Sequence, residues 1–285
     1  MIEPGMGTGG PARMVNYLLL GLCAAIALFP VVYMGIISMQ PAAQAMDAGG
    51  GLLPGSLSDA SANYSAVVND EAVNFPLYFR NTLLIAMLAV AGVVCSSAIT
   101  AYGFARIRWR GRQPLFIVML ATMMVPFPVV MVPLFVLFRE LDWIGTFLPL
   151  WVPAWFGSAF SIFLLRQFYM TIPRELDDAA RIDGCGHLGI FLRIILPLSV
   201  PALLVVGLLH FMYVWNDFLG PLVFLTHRDQ YTLALGLELY MSRLGTTPWN
   251  LVMAASTLMV APVLLLFLFA QRSFLEGIST SGLKG

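Results

Sequence analysis

Charge is what this chain lacks most. Of its 285 residues only 11% are Asp, Glu, Lys or Arg, less than half the share in an ordinary soluble domain. Fifteen basic and fifteen acidic side chains cancel, which excludes a nucleic-acid binder working by bulk charge. Cysteine is scarce too. Cys23, Cys95 and Cys185 stand far apart with no C-x-x-C, so neither a disulfide framework nor a zinc cluster is suggested, and buried unreactive thiols are expected. His187, His210 and His227 show no metal-ligand spacing. The sequence contains no G-x-x-x-x-G-K-[ST], hence no loop to cradle a nucleotide's phosphates. A train of carboxylates and histidines within the apolar runs, as proton-driven pumps use, is missing as well.

Apolar residues make up 59% of the chain. That excludes a disordered chain and a water-soluble globule, and leaves an integral membrane protein. A spanning helix needs about 20 mostly apolar residues. Six stretches qualify, over about 14–37, 82–104, 115–138, 147–165, 201–225 and 251–269. Hydrocarbon offers loose backbone groups no partner, so these are expected as helices. The fold class is therefore all-α, a single six-helix transmembrane domain over 1–285. Ala43-Gln44-Ala45 after the first run resembles a signal cleavage site, but the run is longer than the 7 to 15 residues of a signal core.

Orientation follows from the arginines and lysines. With both termini inside, eleven of the fifteen fall on the cytoplasmic side; Arg80, Arg139, Arg228 and Arg243 remain outside. The segment 38–79, with no Lys or Arg and rich in Gly, Ala, Ser and Asp, reads as an external loop with a little structure of its own.

The cytoplasmic loop 171–196 carries the most information. Pro173 suits a first helical turn. Glu175, Asp177 and Asp178 follow, where a helix dipole favours carboxylates. Asp177 precedes Arg181 by four residues, the favourable order for an ion pair. Leu176, Ala179 and Ala180 form a narrow stripe, and Gly184 and Gly186 can end the helix. A second short helix is expected over 187–196. The pattern predicts a helix-turn-helix that another surface can approach closely, with carboxylates placed for that surface's Arg or Lys; a solvated charged loop accounts for the same residues.

Asp178-Ala179-Ala180-Arg181-Ile182-Asp183-Gly184 resembles the E-A-A-x-x-x-G loop of ABC importer permeases. Other pieces resemble the carbohydrate-importer branch: Arg80-Asn81-Thr82, Ala101-Tyr102-Gly103-Phe104-Ala105-Arg106, Trp215-Asn216-Asp217-Phe218, Ile195-Leu196-Pro197 and the ending Gly282-Leu283-Lys284-Gly285, similar to the smaller permeases of maltose-type importers. Asp178 stands where the family usually has Glu, and Cys185 where it usually has Ala. The resemblance implies a type I importer in a bacterial or archaeal cell membrane: this chain, a sister permease, an ABC ATPase dimer and an external solute-binding protein, moving a sugar or a similar solute such as a polyol or glycerol phosphate. It implies no catalysis and no cofactor in this chain, with ATP and magnesium bound by the ATPase. The residues implied in ATPase coupling are Glu175, Asp177, Asp178, Ala179, Ala180, Asp183 and Gly184, with Gly282, Leu283, Lys284 and Gly285 as a contacting tail.

Polar groups at membrane depth face a cavity or another helix. Trp215, Asn216 and Asp217 suit a sugar, through stacking and hydroxyl contacts, or hold helices together. Pro126, with Phe127, Pro128 and Pro133, breaks the third span, where a pathway or a packing kink forms. Asn81 lies near the external mouth. The external stretch 226–250, with His227, Arg228, Asp229, Glu238 and Arg243, fits a docking surface or a wet loop. An intramembrane protease using Ser158 or Ser161 with His210, or a passive channel, would leave the helical loop unexplained.

Overall fold

The computed structural model describes residues 10–47, 53–71, 73–241 and 247–279. Among the described residues all regular structure is helical. In chain order the helices are α1 (Gly10–Ser38), α2 (Ala42–Met46), α3 (Leu57–Val68), α4 (Phe75–Ala105), α5 (Arg112–Thr122), α6 (Phe127–Glu140) and α7 (Leu148–Trp151). A 3-10 turn (Val152–Phe156) leads to α8 (Ala159–Thr171), α9 (Glu175–Ile182) and α10 (His187–Ile190). A π-helical turn (Phe191–Ile195) joins α10 to α11 (Leu196–Leu198), followed by α12 (Val200–Trp215), α13 (Leu219–Phe224), α14 (Leu233–Met241) and α15 (Trp249–Ser279).

Four stretches are long and apolar enough to cross a membrane: Arg13–Ser38, Phe75–Ala105, Leu148–Thr171 and Trp249–Leu268. Two bent pairs bring the number to six. The third span is therefore not one rod over 115–138. α5 and α6 meet at 97°, because Pro126 and Pro128 supply no backbone donor where the rod would continue. The fifth span ends at Trp215, and the chain turns through 216–218 before α13. Its approach is bent as well: the run His187–Leu198 meets α12 at 74°. The stretch 226–250 is not all loop, since α14 buries Leu233, Leu235 and Tyr240. Cys23 and Cys95 are exposed on their helices and Cys185 is half-buried, so none of the three is the fully buried thiol expected. Lipid solvates an apolar sulfur as well as a core does.

The described chain falls into two compact units. One contains residues up to Val73 with Leu239–Leu258. Here the segment expected as an external loop has an anchor. Asn63, on α3, donates to the carbonyls of Ser38 (2.9 Å) and Gln40 (2.8 Å) and accepts from Asn250 (2.8 Å). α3 opens with a capping box, Ser56 against Asp59. The Ser56 hydroxyl and amide hold the Asp59 carboxyl below the usual carboxylate value.

The other unit contains Asn74–Glu238 and the chain from Met259. α4 is its axis. The Asn74 side chain caps it, accepting from the Leu77 amide. Ala86, Ala89, Val93, Ala98, Ala101 and Ala105 are buried along it, and small residues let neighbouring backbones approach closely in a membrane. Gly92 is the tightest point. A Cβ there would stand 2.3 Å from Trp155 Cδ1, while the Trp155 indole donates to the Leu88 carbonyl at 3.1 Å. Gly92→Ala should therefore push the indole off its bond and destabilise the purified protein in detergent by about 1–3 kcal/mol. An unchanged melting temperature would show that the ring has room to move.

Candidate functional site

α9 and the turn after it form one end of the second unit. Three carboxylates, Glu175, Asp177 and Asp178, occupy the first turn and Arg181 the last, both matching the helix dipole. The helix stops in a Schellman arrangement. Gly184 takes φ +83°, the Cys185 amide donates to the Ala180 carbonyl at 2.8 Å, and the Gly184 amide donates to Arg181 at 3.0 Å. Cys185 then packs on the buried cluster that includes Ala180, the apolar contact that accompanies such a stop. A small apolar side chain is what this position needs, so Cys in place of the family's usual Ala preserves the turn.

α9 has two faces. Asp177 and Ala180 turn inward and are buried. Ala180 joins a core built from Ala101, Tyr102 and Ala105 of α4, Leu165 and Tyr169 of α8, and Ile190, Phe191 and Ile195 beyond the turn. Asp177 Oδ2 lies 3.5 Å from Arg106 Nη1, with side chains only 7% and 2% exposed. Arg106 Nη2 also donates to the Ile172 carbonyl at 2.7 Å, and Arg174 reaches the Ala105 carbonyl at 3.4 Å. Burial lowers the Arg106 pKa and the Asp177 carboxylate opposes that. The expected Asp177–Arg181 pair is thus corrected. Arg181 contacts Asp178 instead, at 3.5 Å on the surface, a contact that contributes little. Arg106 wins because it is buried beside Asp177 and an unpaired buried charge is costly. On the second side of the turn, the Tyr102 hydroxyl donates to the His187 carbonyl at 3.1 Å and its ring packs on Phe191.

The stripe of Leu176, Ala179 and Ala180 is split between the two faces. Glu175, Leu176, Asp178, Ala179, Ile182, Asp183 and Gly184 are exposed, Ile182 at 88%. The outward face therefore combines three carboxylates with bare aliphatic side chains. Sequence reasoning missed Arg106 as the inward partner; its only signal was its place at the end of the Ala101–Arg106 motif. The tail Gly282, Leu283, Lys284 and Gly285, and Arg243, lie outside the described residues.

The residues considered for a solute pathway are not brought together as one surface. Trp215 is 1% exposed, donates to the Met259 carbonyl at 3.1 Å and packs on Phe211 and Phe79. Asn81 is buried and donates to the carbonyls of Asp229 (2.8 Å) and Tyr231 (3.1 Å). The Trp215 indole N–H and the Asn81 Nδ2 are thus occupied within the chain, the helix-holding arrangement that stood beside solute contact. Asn216 is exposed and donates back to the Met212 carbonyl. Asp217 accepts from the Gly220 amide at 3.1 Å, capping the start of α13, beside a small void lined also by Thr82 and Thr232. Pro126 is exposed and Phe127 half-buried at the α5–α6 break. His210 stacks on Tyr213, and its buried Nε2 has no partner among the described residues, so it is not held as a base against Ser158 or Ser161.

Broken and continuous spans joined to a short acidic helix are an arrangement that a membrane transport permease can use. The chain belongs to the family of binding-protein-dependent transport system inner membrane components, which residues 91–279 match. Two relatives are similar along nearly all of it. The arabinooligosaccharides transport system permease protein AraQ of Halalkalibacterium halodurans is 34% identical over 264 residues, 92% of this chain and 93% of that one. The trehalose/maltose transport system permease protein MalG of Thermococcus litoralis is 33% identical over 266 residues, 93% and 94% of the two chains. The fold is shared with a chain in the crystal structure of a bacterial ABC transporter involved in the import of the acidic polysaccharide alginate. The TM-score is 0.81 at 24% identity, covering 94% of this chain and 99% of that one.

The Arg106–Asp177 pair is open to a direct test. Arg106→Leu or Asp177→Leu alone leaves a buried charge unpaired and should cost about 3–5 kcal/mol. The double variant removes both charges and leaves only the Ile172 carbonyl short of a donor, about 1–3 kcal/mol. Unfolding of the purified permease in detergent should place the double variant between wild type and either single variant. Additive losses would show that the two side chains do not act as a pair.

Proposed function

We propose that this chain is one of two permease subunits of an ATP-driven importer of a sugar or sugar-like solute, and that α9 is the handle by which a separate ATPase moves it. The observation that carries this reading is the two-sided α9. Its inner face is fixed to α4 through Arg106 and Asp177. Its outer face presents Leu176, Ala179 and Ile182 among Glu175, Asp178 and Asp183. A large aliphatic group that is 88% exposed among carboxylates fits a cleft with an apolar floor and a rim of Arg or Lys. A push on such a helix is delivered to the end of α4 and, through the Gly184 turn, to the run leading into α12.

In this reading the ATPase dimer holds the ATP and magnesium, and this chain holds no cofactor. A sister permease supplies the other half of the pathway. An external solute-binding protein docks on the 226–250 side, where His227, Arg228 and Asp229 and the exposed Glu238 lie. Both termini are cytoplasmic, which places the tail 282–285 where it can touch the ATPase pair. Asn216, Asp217 and the break at Pro126 and Phe127 are the positions this chain offers to the pathway. The relatives named for arabinooligosaccharides and for trehalose or maltose support the sugar class. The scarcity of Lys and Arg within the spans favours a neutral solute.

The test uses the outer face alone. Leu176→Glu and Ile182→Glu change exposed side chains, so membrane insertion and melting temperature should hold. Co-purification of the ATPase should fail and uptake into vesicles should fall about tenfold or more, as when a central apolar anchor is lost. Gly184→Val, which meets no neighbouring atom but strains a left-handed backbone by about 1–2 kcal/mol, should abolish uptake with insertion intact. Wild-type uptake and ATPase retention in all three variants would overturn the reading.

A further inference from the structure

Between Glu71 and Glu140 the sequence contains no other carboxylate, yet Arg106, Arg108, Arg110 and Arg112 fall within seven residues of that stretch. Arg106 turns inward to Asp177. Among the described residues, none of the other three forms an ion pair. They surround the turn between α4 and α5, where Arg108, Trp109, Gly111, Arg112, Gln113 and Pro114 line an open groove of about 350 Å³. That volume is in the range of small-molecule sites.

The groove is held in shape by the chain itself. Gly111 takes φ +90°, which turns the loop into α5. The Arg112 guanidinium donates to the Ile107 carbonyl at 3.3 Å, and the Trp109 indole donates to the Gly103 carbonyl at 3.2 Å while its ring packs on Phe104. One turn along α5, outside the groove's lining, Arg166 Cζ stands 4.1 Å over the Phe116 ring. Below the groove, Leu115, Ile117 and Val118 of α5 are 54–61% exposed on a helix that forms half of a membrane span. A cationic pocket with an amphipathic Trp, continuous with bare aliphatic surface, matches a ligand that is anionic at one end and hydrocarbon at the other. Inorganic phosphate or a sugar phosphate would leave the aliphatic half without a partner.

We propose that the groove at 108–114 seats the phosphate headgroup of an anionic phospholipid, with its acyl chains along the exposed 115–118 face of α5. The seat does not depend on the topology proposed above; only the leaflet it occupies does.

The full transporter, delipidated in detergent, should be titrated with phosphatidylglycerol or with phosphatidylcholine and the retained lipid read by native mass spectrometry. Phosphatidylglycerol should be retained in preference. R108Q/R112Q should weaken it by about fivefold per arginine, and R108K/R112K should keep most of it. In the wild-type protein, a photoactivatable phosphatidylglycerol should label peptides within 106–118, a readout that needs no variant to fold. Equal retention in R108Q/R112Q, or labelling confined to other segments, would overturn the proposal. So would full displacement of the lipid by inorganic phosphate, which would make the groove a soluble-anion site. Loss of ATPase co-purification from R108Q/R112Q with phosphatidylglycerol still retained would assign the face to a protein partner instead.

Discussion

Within hydrocarbon a polar group bonded to nothing in the protein is bonded to nothing at all, at a cost of several kcal/mol. That constraint orders this molecule more than any single contact. It explains why the spans are helical, and also where their polar side chains have gone. Ser96 and Thr100 return their hydroxyls to the carbonyls of Gly92 and Ser96. Thr82 donates to Tyr78 and accepts from Leu233. Trp155 and Trp215 each give their indole proton to a backbone carbonyl. Residues that look, one at a time, like solute ligands are thereby bound to their own chain.

The same constraint acts at the end of α4 with a different result. Arg106 caps α4 just past the apolar span Phe75–Ala105, and it is too costly to bury alone. Asp177 and the Ile172 carbonyl fix it there. The pair is not fully satisfied: Arg106 Nε and Asp177 Oδ1 have no partner among the described residues. A buried pair of this kind contributes little net stability. What it fixes is position, tying an eight-residue helix to the end of the long α4 so that the two shift together. Ala180 and the Schellman stop at Gly184 complete the tie. With the inner face fully used, the carboxylates and aliphatics of the outer face are left for another surface.

Much of this was legible in the sequence because it depends on composition and short spacing. Long apolar runs marked the spans, Pro126 marked the break between α5 and α6, and the acidic turn followed by Gly184 marked α9. The partners of individual side chains were not legible. Asn81 meets the Asp229 carbonyl across 148 residues and Asn63 meets Asn250 across 187, separations at which local pattern carries no signal. The Asp177–Arg181 spacing was a sound local argument that lost to a tertiary one, since burial strengthens a charge pair more than an exposed helical turn does. α14 was missed because the mixed charges around it, at His227, Arg228, Asp229 and Arg243, read as loop; Leu233, Leu235 and Tyr240 show the buried side only once the helix is in place.

The breaks bear on how such a rigid tie can transmit movement. A straight rod pushed at one end would carry the whole bundle with it. Here the run that leaves α9 is interrupted twice, by the π-helical turn Phe191–Ile195 and by the 74° bend at Ser199, before Pro201. A π turn leaves the backbone one residue out of register with its neighbours and marks positions where a helix is easily re-formed. Pro197 and Pro201 remove donors on both sides of the bend, and the Ser199 hydroxyl between them donates to the Ile195 carbonyl. The chain is thus stiff where α9 is attached and compliant just beyond it. The core around Ile195 and Tyr169 reaches past the bend to Val206 of α12, so a displacement at α9 is passed to α12 by side-chain packing as well as through the bent backbone.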